Sequence, residues 1–360
     1  MSCKADRFSI CPVSHKWKSI IHLLLFIFFW KSLLFDHYQP PLQKDNNMKA
    51  IRIHAYGDAS QMQLEDAPVP VCDAGDVLVR VVAAGVNPID WKLRSGAMAH
   101  GIPKTFPFAL GSDAAGVVTA VGSAVSGFAT GDEVFFYAEF ARGGSYADYV
   151  AVNASQVALK PRTVSFAAAA AMPTPAQAAW TALMETAKLE RGMRVLVHGG
   201  AGALGSVAVQ LAKLQGAYVI ATAGTTDLAL VKSLGADEVI DYRTQRFEQL
   251  ASNLDVVLDT LGGATQEASW ATLRKGGLLV ATATPPSPER AAAAGVRAAF
   301  VFTPPRGVVL AQLAALVDSG HLRILVGQEF ALADAALAHR LGESGKARGK
   351  MVLHVNAPVA

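Results

Sequence analysis

The sequence predicts an α/β protein of two modules, one rich in β-strands and one built on a doubly wound parallel sheet. Three observations lead there. From Met48 to Val152 the apolar runs are short, β-branched and punctuated by Gly and Pro; at Phe166 the texture turns to Ala-rich helix; and from Val195 to Ala281 strands alternate with helices. The chain has 360 residues, enough for two domains that each bury a core. Its 52% apolar and 17% charged residues suit a packed globular body. A net charge of +3 without Lys/Arg runs gives no electrostatic footprint for nucleic acid, so small molecules are the expected partners. Cys3, Cys11 and Cys72 are too scattered for a disulfide framework or a four-thiolate zinc lobe, which suits a reducing, cytoplasmic setting.

Residues 1–47 differ in kind. Lys16 and Lys18 lead into the apolar run Ile20 to Trp30, and Lys31 then interrupts it short of the roughly 20 apolar residues a spanning helix needs. Lys31 to Pro41 offers no small-residue cleavage site. The stretch reads as an upstream extension that is not part of the fold and can be deleted, with a membrane-surface anchor as the other reading.

In the body, Lys49–Ile53, Asp76–Val82, Gly116–Val121, Asp132–Phe136 and Ser145–Val152 read as strands, with Gly143-Gly144 as a turn. A helix from Phe166 should break at Pro173 and Pro175 and resume from Ala176 to about Ala187. Strands are then expected at Val195–His198, Tyr218–Thr222, Glu238–Ile240, Leu254–Leu258 and Leu278–Ala281, with helices from Ala203, Asp227 and Ala264. The pattern is that of a parallel sheet.

The most informative segment follows the first of these strands: Gly199-Gly200-Ala201-Gly202-Ala203-Leu204-Gly205. Gly200, Gly202 and Gly205 fit the dinucleotide fingerprint, and an apolar helix opens directly after them. Backbone N–H groups of Ala203 and Leu204 at that helix N-terminus can therefore face a pyrophosphate. The bland alternative is a Gly-rich turn that tightens a βα unit, and His198 beside it reads as a packing or hydrogen-bonding residue. At the end of the next strand stand Gly224, Thr225 and Thr226 with no carboxylate, and Asp227 is placed to cap the following helix. A 2′-phosphate would meet hydroxyls there, which favours NADPH over NADH. Lys232 and Arg243 are the nearest basic residues in sequence.

Ala84-Gly85-Val86-Asn87-Pro88-Ile89-Asp90-Trp91, Gly111-Ser112-Asp113-Ala114-Ala115-Gly116, Gly131-Asp132-Glu133-Val134-Phe135, Gly144-Ser145-Tyr146-Ala147-Asp148-Tyr149 and Leu234-Gly235-Ala236-Asp237 carry a resemblance. From about Met48 to Val355 the chain resembles the medium-chain dehydrogenase/reductase superfamily, in its zinc-lacking quinone oxidoreductase branch. The resemblance implies a GroES-like β-rich catalytic domain split in sequence around a Rossmann doubly wound parallel-sheet domain. It sets expected boundaries at 48–170 for the first catalytic part, 171–326 for the NADPH-binding domain and 327–360 for the return. It also implies a homodimer, with Arg297–Phe302 as a sheet edge that pairs across a two-fold axis.

By the same resemblance, a zinc-type enzyme would carry its catalytic cysteine near Asn87 and a ligand histidine at Ser112. Asp113 alone does not hold tetrahedral zinc, so no metal is expected. Asn87 is implied to lie near the nicotinamide and the acceptor, and Trp91 to line the acceptor cleft. Asn87 also reads as a turn residue, and Asp90 as a structural acceptor. The family's nicotinamide-facing Thr is replaced by Ala178. Tyr242 is implied to pack near the adenosine phosphate, with Lys346, Arg348 and Lys350 as a basic group that either approaches it or is a solvated surface. The expected activity is hydride transfer from NADPH to a quinone, enone or enal. A zinc-type alcohol dehydrogenase and a non-enzymatic NADPH-binding regulator are the alternatives.

Overall fold

The computed structural model describes residues 47–347 and 349–356. The expectations about the N-terminal extension, and Arg348 of the basic group, lie outside the described residues.

The β-rich module holds β1 (Asn47–Ile53), β2 (Gln63–Pro68), β3 (Asp76–Val86), α1 (Pro88–Ser95), β4 (Phe108–Ala109), β5 (Asp113–Val121), β6 (Glu133–Tyr137), β7 (Tyr149–Asn153) and β8 (Val157–Leu159). Ser145 to Asp148, read as strand, joins the sheets only through a bridge from Ala147 to Ala50, so regular pairing begins at Tyr149. β3 organises the module. It is antiparallel to both β5 and β7, and residues 81–86 are buried throughout.

Next come α2 (Phe166–Ala170) and α3 (Pro173–Trp180), the latter running into a π-helical turn at Thr181–Thr186. The prolines expected to break this helix open it instead. Both lie in its first turn, where a missing N–H removes no intrahelical bond.

The second module is β9 (Arg194–Val197), α4 (Ala203–Leu214), β10 (Tyr218–Ala223), α5 (Leu228–Ser233), β11 (Glu238–Asp241), α6 (Phe247–Leu250), β12 (Leu254–Asp259), α7 (Gly263–Ser269), β13 (Leu273–Ala281), α8 (Pro288–Ala294) and β14 (Arg297–Phe300). Its six strands pair in the order β11-β10-β9-β12-β13-β14, all parallel. The order reverses direction between β9 and β12, which opens a crevice outside their carboxyl ends.

After α9 (Gly307–Asp318), the strands β15 (Val326–Ala331) and β16 (Lys350–His354), with α10 (Ala335–Glu343) between them, return to the first module. β16 lies antiparallel on β3, Met351 against Val86, and completes a sheet of order β15-β16-β3-β5-β6-β8. One core cluster runs through both modules, joining Ala83, Ala115, Phe135 and Val352 to Val195, Val197 and Leu258 by way of Ala169 to Met172. The apolar core is therefore continuous from one module to the other.

Candidate active site

The glycine turn between β9 and α4 has the geometry of an anion cradle. Gly202 is the N-cap of α4 and among the described residues no side chain caps that end, so the first N–H groups at Ala203 and Leu204 are open to a ligand. A Cβ on Gly205 would stand 2.1 Å from the Gly199 carbonyl oxygen, which only glycine permits. His198 faces inward: its ring contacts Ser269 Oγ at 2.9 Å and Thr222 Oγ1 at 3.3 Å, and burial lowers its pKa to about 4. It is a packing residue, as read.

At the end of β10 the structure corrects two expectations. Asp227 occupies the N-cap position of α5 without a side-chain capping bond. The Thr225 hydroxyl is already committed, because it donates to Asp241 Oδ2 at 2.6 Å. That carboxylate comes from the end of the neighbouring strand, β11, and so lies outside the sequence of β10 itself. Thr226 is exposed beside it. Arg243 and Tyr242 flank Gly224, their Nε and hydroxyl each 3.4 Å from where a Cβ on that glycine would sit, and the Arg243 guanidinium lies over the Tyr242 ring. Lys232 is turned away, donating to the Asp237 carbonyl.

The deepest polar cluster lies where the modules meet. Asn87 caps the start of α1 and is buried. Its Nδ2 donates to Asp113 Oδ2 at 2.9 Å, and its Oδ1 accepts from the Lys350 ammonium, which is also 3.1 Å from Asp113. Thr174, at the start of α3, donates to Asp113 Oδ1 through its backbone N–H (3.0 Å) and its hydroxyl (2.6 Å). Lys350, expected at the surface with Lys346 or near the adenosine phosphate, is instead 3% exposed at the head of β16. Lys346 is exposed.

A second layer stands on Asp90. It accepts from the Asn87 N–H (2.8 Å), Ser112 Oγ (3.0 Å) and Tyr146 OH (3.0 Å), and burial raises its pKa to about 6. Tyr146 in turn contacts His339 Nε2, and Arg94 contacts His339 Nδ1 at 3.1 Å. Since Arg94 can only donate, His339 carries its proton on Nε2. Burial, with the Arg94 charge beside it, lowers the His339 pKa to about 3. Asp90 is thus a structural acceptor, as read. Trp91, expected to line the acceptor cleft, is half-buried, with its indole edge-on to His339 and against Gly342 of α10, where a Cβ would be 2.6 Å from the ring. The aromatics that meet between the modules are Phe140 and Phe302, 6.0 Å apart, with Tyr137 stacked behind Phe140.

Three buried polar atoms near this junction have no protein partner: Gln177 Nε2, Thr303 Oγ1 and Arg306 Nε. Two of these residues are linked, because the Arg306 N–H donates to Gln177 Oε1 at 2.9 Å. Gln177 is one turn along α3 from Thr174, and residues 301–306 leave the carboxyl end of β14. Gln177, Thr303 and Arg306, with polar atoms that have no partner among the described residues, would be available to hold a dinucleotide whose pyrophosphate was bound at α4, so the residues fit such a cofactor.

Fold and site together define a dinucleotide-dependent oxidoreductase. Residues 73–162 match the family model described as the alcohol dehydrogenase GroES-like domain, and 234–353 the one described as zinc-binding dehydrogenase. The chain is 38% identical over 323 residues to the 2-methylene-furan-3-one reductase of Solanum lycopersicum, covering 86% of this chain and 79% of that protein. The identity is also 38% over 323 residues to the chloroplastic NADPH-dependent alkenal/one oxidoreductase of Arabidopsis thaliana, covering 85% of this chain and 79% of that protein. Among solved structures, the quinone oxidoreductase of Coxiella burnetii superposes with a TM-score of 0.81 at 34% identity, over 86% of this chain and all of that one. The Escherichia coli quinone oxidoreductase complexed with NADPH gives 0.76 at 27%, over 85% of this chain and all of that one. The chain belongs to the medium-chain dehydrogenase/reductase superfamily and is a quinone oxidoreductase-like enzyme.

Proposed function

We propose that this enzyme uses NADPH to reduce a conjugated carbonyl compound, an enone, enal or quinone, without zinc. The observation that carries the reading is the buried polar cluster of Asn87, Lys350 and Asp113, held by Thr174 at the start of α3, between the β-rich module and the helices that lead to the glycine turn. NADPH supplies the hydride. Phe140 and Phe302, in edge-on contact, offer an apolar wall to an acceptor, and the open N–H groups of α4 would hold the pyrophosphate. Asn87 and Ser112 present an amide and a hydroxyl, both engaged with carboxylates, and the Lys350 ammonium opposes a divalent cation at Asp113. An activated C=C bond needs no Lewis acid, because the oxygen anion it yields is stabilised by conjugation. The names and identities of the two plant reductases, and the NADPH in the bacterial quinone oxidoreductase, support both the acceptor class and the cofactor. The test is steady-state NADPH oxidation against a panel of quinones, enones and simple ketones, with zinc measured in the same preparation. Turnover of enones or quinones without bound zinc is expected; turnover of simple alcohols that tracks zinc content would overturn the reading.

For the 2′-phosphate, Arg243 and Tyr242 beside Gly224 support a preference for NADPH, in place of the Thr225 hydroxyl. Thr225→Asp would set a second carboxylate beside Asp241. It is expected to lower kcat/KM for NADPH by about tenfold or more while sparing NADH, and Arg243→Ala to act in the same direction. Equal losses for both cofactors would refute this assignment. On assembly, β14 ends the six-stranded sheet with Phe300 and Phe302 exposed, which supports pairing with a second copy along that edge. Light scattering reads this directly. Among the described residues no helix is long and apolar enough to cross a membrane. The cytoplasmic setting rests on cysteine usage alone, while relatives include chloroplastic and mitochondrial proteins.

A further inference from the structure

We propose that Lys350 is a positioning residue that makes Asn87 a one-way hydrogen-bond donor to the oxygen anion formed on the acceptor. The inference rests on the enone or quinone reading above. An ammonium has no lone pair and a carboxylate has no proton to give, so the orientation of the Asn87 amide is decided: Oδ1 faces Lys350 and Nδ2 faces Asp113. One Nδ2 proton is spent on Asp113. The other has no partner among the described residues, and Oδ1 is turned to the Lys350 ammonium. The proton that remains for a ligand is on Nδ2, so there the side chain acts as a donor.

The arrangement is built into the backbone. Gly85 of β3 lies under the cluster, and a Cβ there would meet the Ala170 carbonyl oxygen at 2.3 Å, Lys350 Cε at 3.0 Å and Asp113 Cβ at 3.1 Å. Thr174 fixes Asp113 from the other side with two donors. Asn87, Asp113 and Lys350 are each at most 3% exposed, so the ammonium polarises the amide through low-dielectric surroundings rather than through water. Asp113 balances the Lys350 charge, which leaves the cluster able to face a developing anion without being a free cation itself.

In the reaction, the hydride from NADPH forms the new C–H bond at the β-carbon, and the C=C π pair shifts toward the carbonyl oxygen. That oxygen becomes negative, and water later supplies the proton to the product. Donation from Asn87, strengthened by Lys350 behind it, stabilises the oxygen while it is charged. The benefit is greatest when the product oxygen is basic, as in the enolate of a simple enone. It is smaller for a hydroquinone anion, which spreads its charge over the ring.

The experiment compares wild type, Lys350→Met, Asn87→Leu and the double variant on one simple enone and one benzoquinone, with NADPH affinity and melting temperature as controls. Lys350→Met is expected to lower kcat on the enone by about 100-fold and on the quinone by less than tenfold, with NADPH affinity little changed. The double variant should be no slower than Asn87→Leu alone, because Lys350 acts through Asn87. Equal losses on both acceptors, or losses that multiply in the double variant, would show a merely structural lysine and overturn the proposal. Should Lys350→Met fail to fold, Lys350→Gln, which keeps a neutral donor to Asn87, makes the same comparison. If wild type reduces neither acceptor, the functional reading falls with it; if wild type is active and the acceptor dependence is absent, only the role of Lys350 falls.

Discussion

Gly205→Ala is expected to remove measurable NADPH binding at concentrations that saturate the wild type, with a weakening of at least tenfold to a hundredfold. The added methyl carbon would sit 2.1 Å from the Gly199 carbonyl oxygen and 2.7 Å from its carbonyl carbon. Both are main-chain atoms, so the turn itself must move. Gly199 is held in place, because Thr222 Oγ1 accepts from its N–H at 3.1 Å and its own carbonyl accepts from the Gly202 N–H at 2.9 Å. The strain therefore displaces α4 away from β9, and with it the N–H groups that face the pyrophosphate. Displacements near 1 Å at a binding group commonly cost about two orders of magnitude. Overpacking of this kind also destabilises by about 1–3 kcal/mol, which should appear as a fall of several degrees in melting temperature. Fluorescence titration with NADPH and a thermal melt check both effects. Binding within threefold of wild type would mean that the turn does not cradle the pyrophosphate.

The second large effect is acid sensitivity. His198 and His339 are buried and neutral, with pKa values lowered from 6.5 to about 4 and about 3. Below pH 6.5 the unfolded chain takes up both protons and the folded chain does not, so stability falls as pH falls through this window. Asp90 acts in the opposite sense. Its pKa is raised from 3.8 to about 6, so between those values the folded state binds a proton that the unfolded state lacks. Among these three groups, the balance from pH 6 down to pH 4 is about one proton in favour of the unfolded chain, roughly 1.4 kcal/mol lost per pH unit. The groups facing His339 are Arg94, Tyr146 and the Trp91 ring, with Asp90 beyond Tyr146 and Glu343 beyond Arg94. Those facing His198 are Thr222, Ser269, the Phe247 ring and the Asp259 charge. His339→Gln should cost stability at pH 7 yet flatten the decline from pH 6 to pH 4. A melt series with the wild-type slope in that variant would remove His339 from the account.

What could be read beforehand was local. Strand and helix periodicity, the glycine turn and the change of texture at Phe166 are all carried by neighbouring residues, and each corresponds to an element of the structure. The misplacements arose where function is assembled from distant ones. Lys350 meets Asn87 across 263 positions, and its sequence neighbours Lys346 and Arg348 made it look like a surface charge. One signal was available: Lys350-Met351-Val352-Leu353 is a short apolar run headed by a charge, and all four residues are buried. The Asp241 carboxylate comes to Thr225 because β10 and β11 are parallel neighbours, a pairing that no count along β10 reveals. Phe140 and Phe302 belong to different modules, so their meeting depends on how the modules dock. Trp91 was placed by its motif, whereas the packing of α10 against α1 decided its neighbours.

The return of β16 to β3 also orders events in time. As the polypeptide emerges during synthesis, the parallel sheet is complete once β14 has appeared, since all six of its strands are contiguous in sequence. The edge of β3 from Ala83 to Val86 has by then waited through the making of that whole sheet, because its partners are Ala83 with His354 and Val86 with Met351. The glycine turn between β9 and α4 thus precedes in the chain the last partner of β3. Only the last strand delivers the ammonium that steadies Asn87. A chain halted shortly before Lys350 would lack both the ammonium beside Asn87 and Val352 of the core cluster that joins the two modules.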